Sequence, residues 1–253
     1  MPIRLTEIFH RWLAPGCAGC GGPSPVGLYC QPCLDALPTN DHACIRCAEP
    51  LPPSAPKPAL CAHCLTRWPA FDGVYAPLLY EAPVDACVQV LKYRHDLGAA
   101  RRLATLLHHT LPELPAPDRV IPVPLHASRL RERGFNQALE IARPLCRWRG
   151  WPLAPAWVER TRATPSQLHL SAEDRRRNLR QAFTVRRPVQ DEAILVIDDV
   201  VTTGATTSAL AKALFRAGAA SVHVLAAART PFDHAPGRSR PGAPTPSTSR
   251  NRS

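Results

Sequence analysis

The sequence predicts an α/β fold in which a parallel sheet carries helices on both faces, preceded by a small cysteine-rich domain. Two observations predict the sheet: the short apolar runs at residues 119–123 and 194–197 are each followed by a polar loop and a helical pattern. A third observation, four Cys-x-x-Cys turns before residue 65, predicts the small domain. The 253 residues suffice for both units, and we divide the chain into residues 1–67, 68–230 and 231–253.

The first unit, residues 1–67, begins with a short predicted helix and is dominated by eight cysteines. A Cys-x-x-Cys turn lets two thiolates face one ion at about 2.3 Å, and two such turns complete a tetrahedral zinc site. We therefore expect two structural zinc sites, each formed by neighbouring turns, with disulfides and a redox dithiol as the alternatives. The expected ligands are Cys17, Cys20, Cys30 and Cys33 in one site and Cys44, Cys47, Cys61 and Cys64 in the other.

Ordinary globular patterning begins near residue 68. Residues 71–80 alternate enough to predict a strand or hairpin, residues 84–93 have apolar side chains at helical spacing, and residues 101–111 predict a second helix. Lys92 lies at the end of the first of these helices, where a lysine can simply complement the helix dipole. It is also one of three lysines among 31 basic residues, which makes it a candidate contact for pyrophosphate.

The segment after the strand at residues 119–123 is a basic loop. It contains Arg129, Arg131 and Arg133, then Gly134, and Asn136 can cap the helix that follows. Guanidinium groups bind phosphate oxygens bidentately, and a glycine lets the backbone approach an anion closely. This loop is therefore a candidate pyrophosphate site, with a solvated basic face as the alternative.

The strand at residues 194–197 is predicted to end at two adjacent carboxylates, Asp198 and Asp199. A loop of small or hydroxylated residues then leads into a helix, which is predicted to end at Gly218 before a last strand at residues 221–228. Free N–H groups in the first turn of a helix attract anions. The junction predicts a phosphate site, with a solvated turn as the alternative, formed by Thr202, Thr203, Gly204, Ala205 and Thr206.

The run Asp-Asp-Val-Val-Thr-Thr-Gly-Ala-Thr after a buried strand resembles the phosphoribosyl-pyrophosphate loop of type I phosphoribosyltransferases. The resemblance implies that Asp198 and Asp199 hold the ribose 2′ and 3′ hydroxyls, while residues 202–206 hold the 5′-phosphate. Such a ligand reconciles two acids with an anion site, because the acids accept hydrogen bonds from hydroxyls that lie one sugar-length from the phosphate.

Further segments narrow the resemblance. Pro-Val-Pro-Leu and Arg-Glu-Arg-Gly-Phe-Asn-Gln, together with the four Cys-x-x-Cys turns, make residues 15–230 resemble the ComF family of bacterial competence proteins. That family joins a double zinc ribbon to a type I phosphoribosyltransferase-like domain. The resemblance implies phosphoribosyl pyrophosphate or a related ribose phosphate as the ligand, with Mg²⁺ on its pyrophosphate and Lys92 near the leaving group. If the domain turns its ligand over, the expected catalytic residues are Asp198, Asp199, Arg131 and Arg133.

Two further segments are rich in arginine. Residues 160–187 contain eight arginines and two acids, a pattern that favours either a lid over the pyrophosphate or a solvated insertion. Residues 231–253 are rich in proline, serine and arginine and are predicted to be disordered.

Composition and pattern leave three functions open. A net charge of +11 and a pI of about 9.6 favour anionic partners, although arginine enrichment also reflects compositional bias. The first function is ribose-phosphate binding in DNA uptake, with single-stranded DNA and a helicase-like competence protein as partners. The second is a salvage or biosynthetic phosphoribosyltransferase, and the third is a non-enzymatic zinc-ribbon module that binds nucleic acid. No stretch has the length of a membrane span, and we expect a cytoplasmic protein.

Overall fold

The computed structural model describes residues 16–24, 27–161 and 182–232, and a four-stranded parallel sheet forms its centre. The sheet contains β1 (Gly73–Tyr75), β2 (Arg119–Pro122), β5 (Ala193–Val201) and β6 (Ser221–Arg229), in the order β1-β6-β5-β2. Strands β3 (Val158–Arg160) and β4 (Phe183–Val185) form a separate antiparallel pair. All pairings in the main sheet are parallel, which confirms the predicted fold class.

The helices of the described residues connect these strands or lie in the cysteine-rich segment. Four of them were predicted: the helices that begin at Val84, Gln137 and Ala205 lie at nearly the predicted positions, and the helix that begins at Leu97 starts four residues before the predicted residue 101. The bounds are α1 (Gln31–Asp35), α2 (Ala62–Thr66), α3 (Val84–Arg94), α4 (Leu97–Thr110), α5 (Ala127–Arg133), α6 (Gln137–Arg149) and α7 (Ala205–Arg216).

The two faces of the sheet carry different helices because side chains alternate along each strand. Leu195 and Ile197 of β5 pack in one apolar cluster with α3, α4 and α6. Ile194 and Val196 pack in another with α7. All four side chains are buried, so the strand is covered on both faces as its continuous apolar run predicts.

The two cysteine groups pack on opposite faces of the parallel sheet. Cys17 of the first group belongs to the cluster that contains α3, α4 and α6. All four cysteines of the second group belong to the cluster that contains α7, together with Phe71 and Val74. Packing therefore crosses the predicted domain boundary near residue 68, which stays a prediction.

Two local predictions are wrong. Strand β5 does not end at the carboxylates but continues to Val201, because β6 supplies pairing partners as far as Arg229. The basic segment is not a loop throughout, since Ala127–Arg133 forms α5. His126 caps this short helix by accepting a hydrogen bond from Ser128 N at 3.2 Å, and Gly134 ends it with a φ of 74°.

Several predicted features lie outside the described residues: the N-terminal helix, residues 162–181 of the arginine-rich segment, and the tail from residue 233. Within the part of the chain that the structure describes, none of the helices is long and apolar enough to span a membrane.

Candidate functional site

A cleft of about 740 Å³ opens at the carboxyl ends of β2, β5 and β6. Open α/β sheets bind their ligands at this edge, because the loops there converge from several strands. The cleft is lined by Tyr80, Glu81, Lys92, Val123, Leu125, Arg133, Asn136, Gln137, Ala138, Arg160, Asp198, Asp199, Val200, Thr202, Thr206, Thr230 and Pro231.

An acidic pair and a lysine form the floor of the cleft. Lys92 Nζ lies 2.8 Å from Asp199 Oδ2, and these side chains are 22% and 12% exposed. Asp199 N donates a hydrogen bond to Asp198 Oδ1 at 2.9 Å, and Val200 N donates one to Asp199 Oδ1 at 2.7 Å. Lys92 is therefore part of the cleft, as the pyrophosphate interpretation requires, and does more than complement a helix dipole.

The charges of this floor depend on one another. Burial in the cleft, and then the adjacent charge of Asp199, raise the pKa of Asp198 to about 8, although Lys92 acts in the opposite direction. Burial alone would lower the pKa of Lys92, but the charges of Asp199 and Asp198 offset this and hold its pKa above the ordinary value. Asp198 can therefore exchange a proton near neutral pH, while Lys92 stays charged.

The loop between β5 and α7 presents backbone donors. Gly204 has a φ of 70°, a left-handed conformation that favours glycine, directly before α7. Thr203 Oγ1 accepts a hydrogen bond from Ala205 N at 3.4 Å. Among the described residues, nothing accepts a hydrogen bond from the N–H groups of Thr206 and Thr207. The first turn of this helix thus retains donors for an anion, as predicted.

The opposite wall of the cleft is basic and rich in amides. Arg133 reaches it from α5 and Arg160 from the end of β3. Asn136 Oδ1 accepts a hydrogen bond from Ala138 N at 3.0 Å, which confirms its predicted role as a helix cap. Gln137 is 2% exposed, and its amide nitrogen has no hydrogen-bond partner among the described residues. A ligand in the cleft would satisfy this buried donor.

The cleft brings together most of the predicted site residues. Lys92, Arg133, Asp198, Asp199, Thr202 and Thr206 line it. Thr203, Gly204 and Ala205 belong to the loop and the helix start beside it. Arg131 and Gly134 do not line the cleft: Arg131 is exposed on α5 two residues from Arg133, and residues at this spacing project from different sides of a helix.

Sequence reasoning missed Arg229, Glu49 and Gln137. Arg229 ends β6, is 1% exposed and forms an ion pair with Glu49 at 2.6 Å. An arginine at the end of an otherwise apolar strand was the available signal, because such a charge is buried only with a partner. Glu49 gave no signal, since its partner lies 180 residues further along the chain.

The cysteines form two groups of four whose sulfur atoms lie within 4.8 Å of one another, in the pairing predicted. Cys20 Sγ and Cys30 Sγ are 3.7 Å apart in the first group, and Cys47 Sγ and Cys61 Sγ are 3.6 Å apart in the second. Four thiolates at about 2.3 Å from one zinc ion are about 3.8 Å from one another, so both groups fit zinc. The cysteines are free rather than paired as disulfides.

Backbone donors surround the sulfur atoms. Gly19 N and Cys30 N each donate a hydrogen bond to Cys17 Sγ at 3.3 Å, and Cys64 N donates one to Cys61 Sγ at 3.4 Å. Hydrogen bonds of this kind stabilise thiolate charge and orient the ligands of a metal. The two groups are therefore built to hold metal ions, and the zinc ribbons of the predicted fold have their ligands in place.

Comparison with known sequences identifies relatives over most of the chain. The DNA utilization protein YhgH of Salmonella typhi is 37% identical over 208 residues, which cover 79% of this chain and 90% of the relative. YhgH of Escherichia coli strain K12 is 36% identical over 225 residues, which cover 85% and 98%. Competence protein F of Haemophilus influenzae is 33% identical over 178 residues, which cover 67% and 78%. No protein-family model matches the chain.

Solved structures resemble the chain more distantly. A purine phosphoribosyltransferase from Pyrococcus horikoshii is 17% identical, covers 53% of this chain with 71% of its own, and has a TM-score of 0.30. A hypoxanthine phosphoribosyltransferase from Trypanosoma cruzi gives the same coverage and identity, with a TM-score of 0.29.

Proposed function

Since the chain belongs to the family of DNA utilization protein YhgH and competence protein F, we propose that it acts in the uptake or use of DNA. Within this role, the cleft binds phosphoribosyl pyrophosphate or a related ribose phosphate. One observation carries the proposal: a pair of carboxylates and the free N–H groups of a helix start border the same cleft. This arrangement matches a ligand that has hydroxyls at one end and phosphate at the other.

In this proposal, different side chains contact different parts of the ligand. Asp198 and Asp199 accept hydrogen bonds from the ribose hydroxyls, and the loop of residues 202–206 holds the 5′-phosphate. Lys92 and Arg133 neutralise the pyrophosphate, while Gln137 donates its free amide hydrogens to the ligand. Mg²⁺ bound with the pyrophosphate would supply further neutralising charge.

Catalysis in the cleft is a separate part of the proposal. A transferase would displace pyrophosphate from the ribose, and its protein groups would position and neutralise rather than form bonds. In this proposal the roles fall to Asp198, Asp199 and Arg133, which line the cleft, whereas Arg131 would need to turn toward it. Pyrophosphate release measured over a panel of nucleobases and amines tests the salvage or biosynthetic alternative, and no release with any acceptor would count against it.

Calorimetry with phosphoribosyl pyrophosphate and Mg²⁺ tests the ligand. We expect saturable binding by the full chain. At about pH 9, above the pKa of about 8 of Asp198, we expect Asp198→Asn and Asp199→Asn each to weaken binding about tenfold or more, because a hydrogen bond that involves a charged group contributes about 1.5–3 kcal/mol. Asp118→Asn is the control, since Asp118 caps the amino end of β5 by accepting a hydrogen bond from Ala193 N at 2.8 Å. Absence of binding by the unaltered chain would refute the proposal.

A second observation supports contact with single-stranded DNA: a basic groove between α4 and α6. The groove also includes Gly27 and Leu28, which lie between the two Cys-x-x-Cys turns of the first cysteine group. It consists of two hollows of about 280 Å³ and about 460 Å³, which share Arg101 and Trp148. None of its residues lines the cleft. The basic groove is lined by Gly27, Leu28, Leu97, Gly98, Arg101, Arg102, Thr105, His109, Glu140, Arg143, Pro144, Arg147 and Trp148.

The charges of the basic groove suit a nucleic acid. Arg102 pairs with Asp96 at 2.7 Å and Arg143 with Glu140 at 3.5 Å. In the described ranges no carboxylate pairs with Arg101 or Arg147, which leaves both guanidinium groups available for phosphates. Trp148 lines the same groove and is 39% exposed, and an exposed indole can stack on a base.

Fluorescence anisotropy with a labelled oligothymidine tests this surface. We expect Trp148→Ala to weaken binding about 5- to 150-fold, which corresponds to the ~1–3 kcal/mol of one stacked base. Replacing Arg101 and Arg147 by alanine should reduce the salt slope by about 1.4. The control replaces two exposed basic residues of α7, Lys212 and Arg216. Equal losses in the control would contradict the assignment, and displacement of the oligonucleotide by phosphoribosyl pyrophosphate would place the DNA in the cleft instead.

A helicase-like competence protein as partner and a location in the cytoplasm complete the proposal. Both extend the family relationship, and neither is needed for the cleft or the basic groove to bind its ligand.

A further inference from the structure

The second cysteine group lies next to the loop that would hold the 5′-phosphate, and Arg229 connects the two. Arg229 is 1% exposed, so its charge must be satisfied inside the protein. Its Nη2 donates a hydrogen bond to Glu49 Oε2 at 2.6 Å. Glu49 lies two residues after Cys47, one of the four cysteines of the second group.

The other nitrogen of the same guanidinium binds the phosphate loop. Arg229 Nη1 donates hydrogen bonds to the carbonyl oxygens of Val201 at 3.0 Å and of Thr202. It also donates to the carbonyl oxygen of Thr230 at 2.8 Å, and both Thr202 and Thr230 line the cleft. One buried side chain therefore fixes the start of the loop and the adjoining residue Thr230.

Glu49 in turn is fixed by the turn that carries the cysteines. Cys44 N donates a hydrogen bond to Glu49 O at 2.7 Å, and Ala48 N donates one to Cys44 O at 2.9 Å. Glu49 Oε1 accepts a hydrogen bond from Phe232 N at 2.8 Å, directly after the cleft residue Pro231. A metal ion that orders Cys44 and Cys47 thus also orders the carboxylate that holds Arg229.

The segment that directly follows the second cysteine group contacts the other end of the loop. Ala70 N donates a hydrogen bond to Ser208 Oγ, in the first turn of α7, at 3.1 Å. The buried ring of Phe71 lies against Gly204, since a Cβ atom there would be 3.6 Å from the ring. Phe71 packs in the same apolar cluster as the four cysteines. The loop is therefore held at one end through Glu49, beside Cys47, and at the other end by Ala70 and Phe71, which follow the second cysteine group in the chain.

We infer that Arg229, anchored by Glu49 of the second cysteine centre, is a positioning residue that sets the phosphate loop in its binding geometry. The inference rests on the proposed ribose-phosphate site. It also assigns unequal roles to the two cysteine groups: Glu49, beside the second group, binds Arg229, whereas within the described residues no hydrogen bond joins residues 16–33 to Arg229 or to residues 201–208. Metal at the second centre therefore controls ligand affinity, whereas metal at the first does not.

Calorimetry with ribose 5-phosphate and, separately, inorganic pyrophosphate with Mg²⁺ tests the inference on the full zinc-loaded chain. We expect Glu49→Gln to weaken ribose 5-phosphate about 2- to 30-fold, the range of couplings along a contact network. Pyrophosphate should bind as before, because it does not use the loop. Arg229→Lys should lose affinity in the same way, since one ammonium group cannot reproduce the fork that reaches Glu49 and the loop together.

The matched control is Glu192→Gln. Glu192 is also part of a half-buried Arg–Glu pair, with Arg119 at 3.2 Å, but it lies at the opposite end of the strands. It should lower stability without changing ribose 5-phosphate affinity by more than about twofold. Unchanged affinity in Glu49→Gln and Arg229→Lys would overturn the inference, and so would an equal loss for pyrophosphate. If the unaltered chain binds no ribose 5-phosphate, the proposed site fails as well.

One more pair of variants tests the unequal roles of the centres. Cys64→Ser and Cys20→Ser each remove one metal ligand, from the second and the first centre respectively. We expect weaker ribose 5-phosphate binding only for Cys64→Ser, with zinc content measured on each sample. Equal losses would overturn the assignment to the second centre, and Glu49→Gln keeps the test decisive should Cys64→Ser fail to fold.

Discussion

At the residue scale, Asp198 and Lys92 show how the fold changes chemistry that looks ordinary in the sequence. Two adjacent aspartates would both be ionised in water. In the cleft, burial and the charge of Asp199 raise the pKa of Asp198 to about 8, while Lys92 pairs with Asp199. The sequence could identify the acids but not this division between them, because it follows from burial and from a lysine more than 100 residues away.

A pH titration of stability tests this division. In the folded chain Asp198 ionises at a higher pH than in the unfolded chain, so the stability it confers is complete at low pH and is lost as pH rises toward about 8. Asp198→Asn should therefore raise Tm relative to the unaltered protein, by about 2–4 °C for each kcal/mol recovered. The gain should grow from about pH 4 to about pH 8 and then level off. A gain that does not change with pH would contradict the assignment.

At the scale of the element, the junction of β5 and α7 was predicted most completely. An apolar run, two acids, a hydroxylated loop and a helical pattern follow one another in the sequence, and local physics places each of them. The end of β5 was misplaced because pairing with β6, a long-range contact, extends the strand. Helix α5 was missed because its arginine-rich sequence has little apolar periodicity.

Gly204→Ala tests whether the conformation of this junction matters for binding. Alanine in the left-handed region costs roughly 1–2 kcal/mol, while the space beside Phe71 would accept its methyl group. We expect lower stability together with weaker ribose 5-phosphate binding. Gly150→Ala is the control, because Gly150 has a similar φ of 67° but ends α6, outside the loop of residues 202–206. Equal losses of affinity in both variants would mean that the conformation of Gly204 has no specific role in ligand binding.

The cysteine groups form the other element that spacing alone predicted. Two turns of the form Cys-x-x-Cys define each site, and the observed sulfur distances agree with tetrahedral zinc. Elemental analysis of the purified protein should give two zinc ions per chain. A strong chelator should release both and lower Tm sharply, because metal binding stabilises such small units. One ion per chain would mean that one group is only a remnant of a site.

At the scale of the whole molecule, the sequence predicted most of the local elements correctly but not the contacts between segments that are far apart in the chain. Parallel pairing, helices on both faces and two cysteine groups were predicted because each follows from local pattern. The Arg229–Glu49 pair, the buried amide of Gln137 and the basic groove were not predicted. The ion pair and the groove join segments that are distant in the chain, and the burial of Gln137 follows from the packing around it, so no local pattern encodes these features.

These contacts between distant segments also determine which cysteine group is connected to the proposed ligand site. The second cysteine group packs in the same apolar cluster as α7 and, through Glu49 and Arg229, holds the loop of the proposed ligand site. The first cysteine group packs on the other face of the parallel sheet, beside the basic groove. In the proposed function, the chain binds a ribose phosphate at the edge of the sheet and a nucleic acid on its helical face.

The most direct test of this account is a crystal structure of the zinc-loaded chain with phosphoribosyl pyrophosphate and Mg²⁺. We predict ribose hydroxyls within hydrogen-bond distance of Asp198 and Asp199, the 5′-phosphate on the N–H groups of Thr206 and Thr207, and pyrophosphate oxygens near Lys92 and Arg133. A ligand bound elsewhere, or an empty cleft at a concentration that saturates the protein in solution, would contradict the central claim.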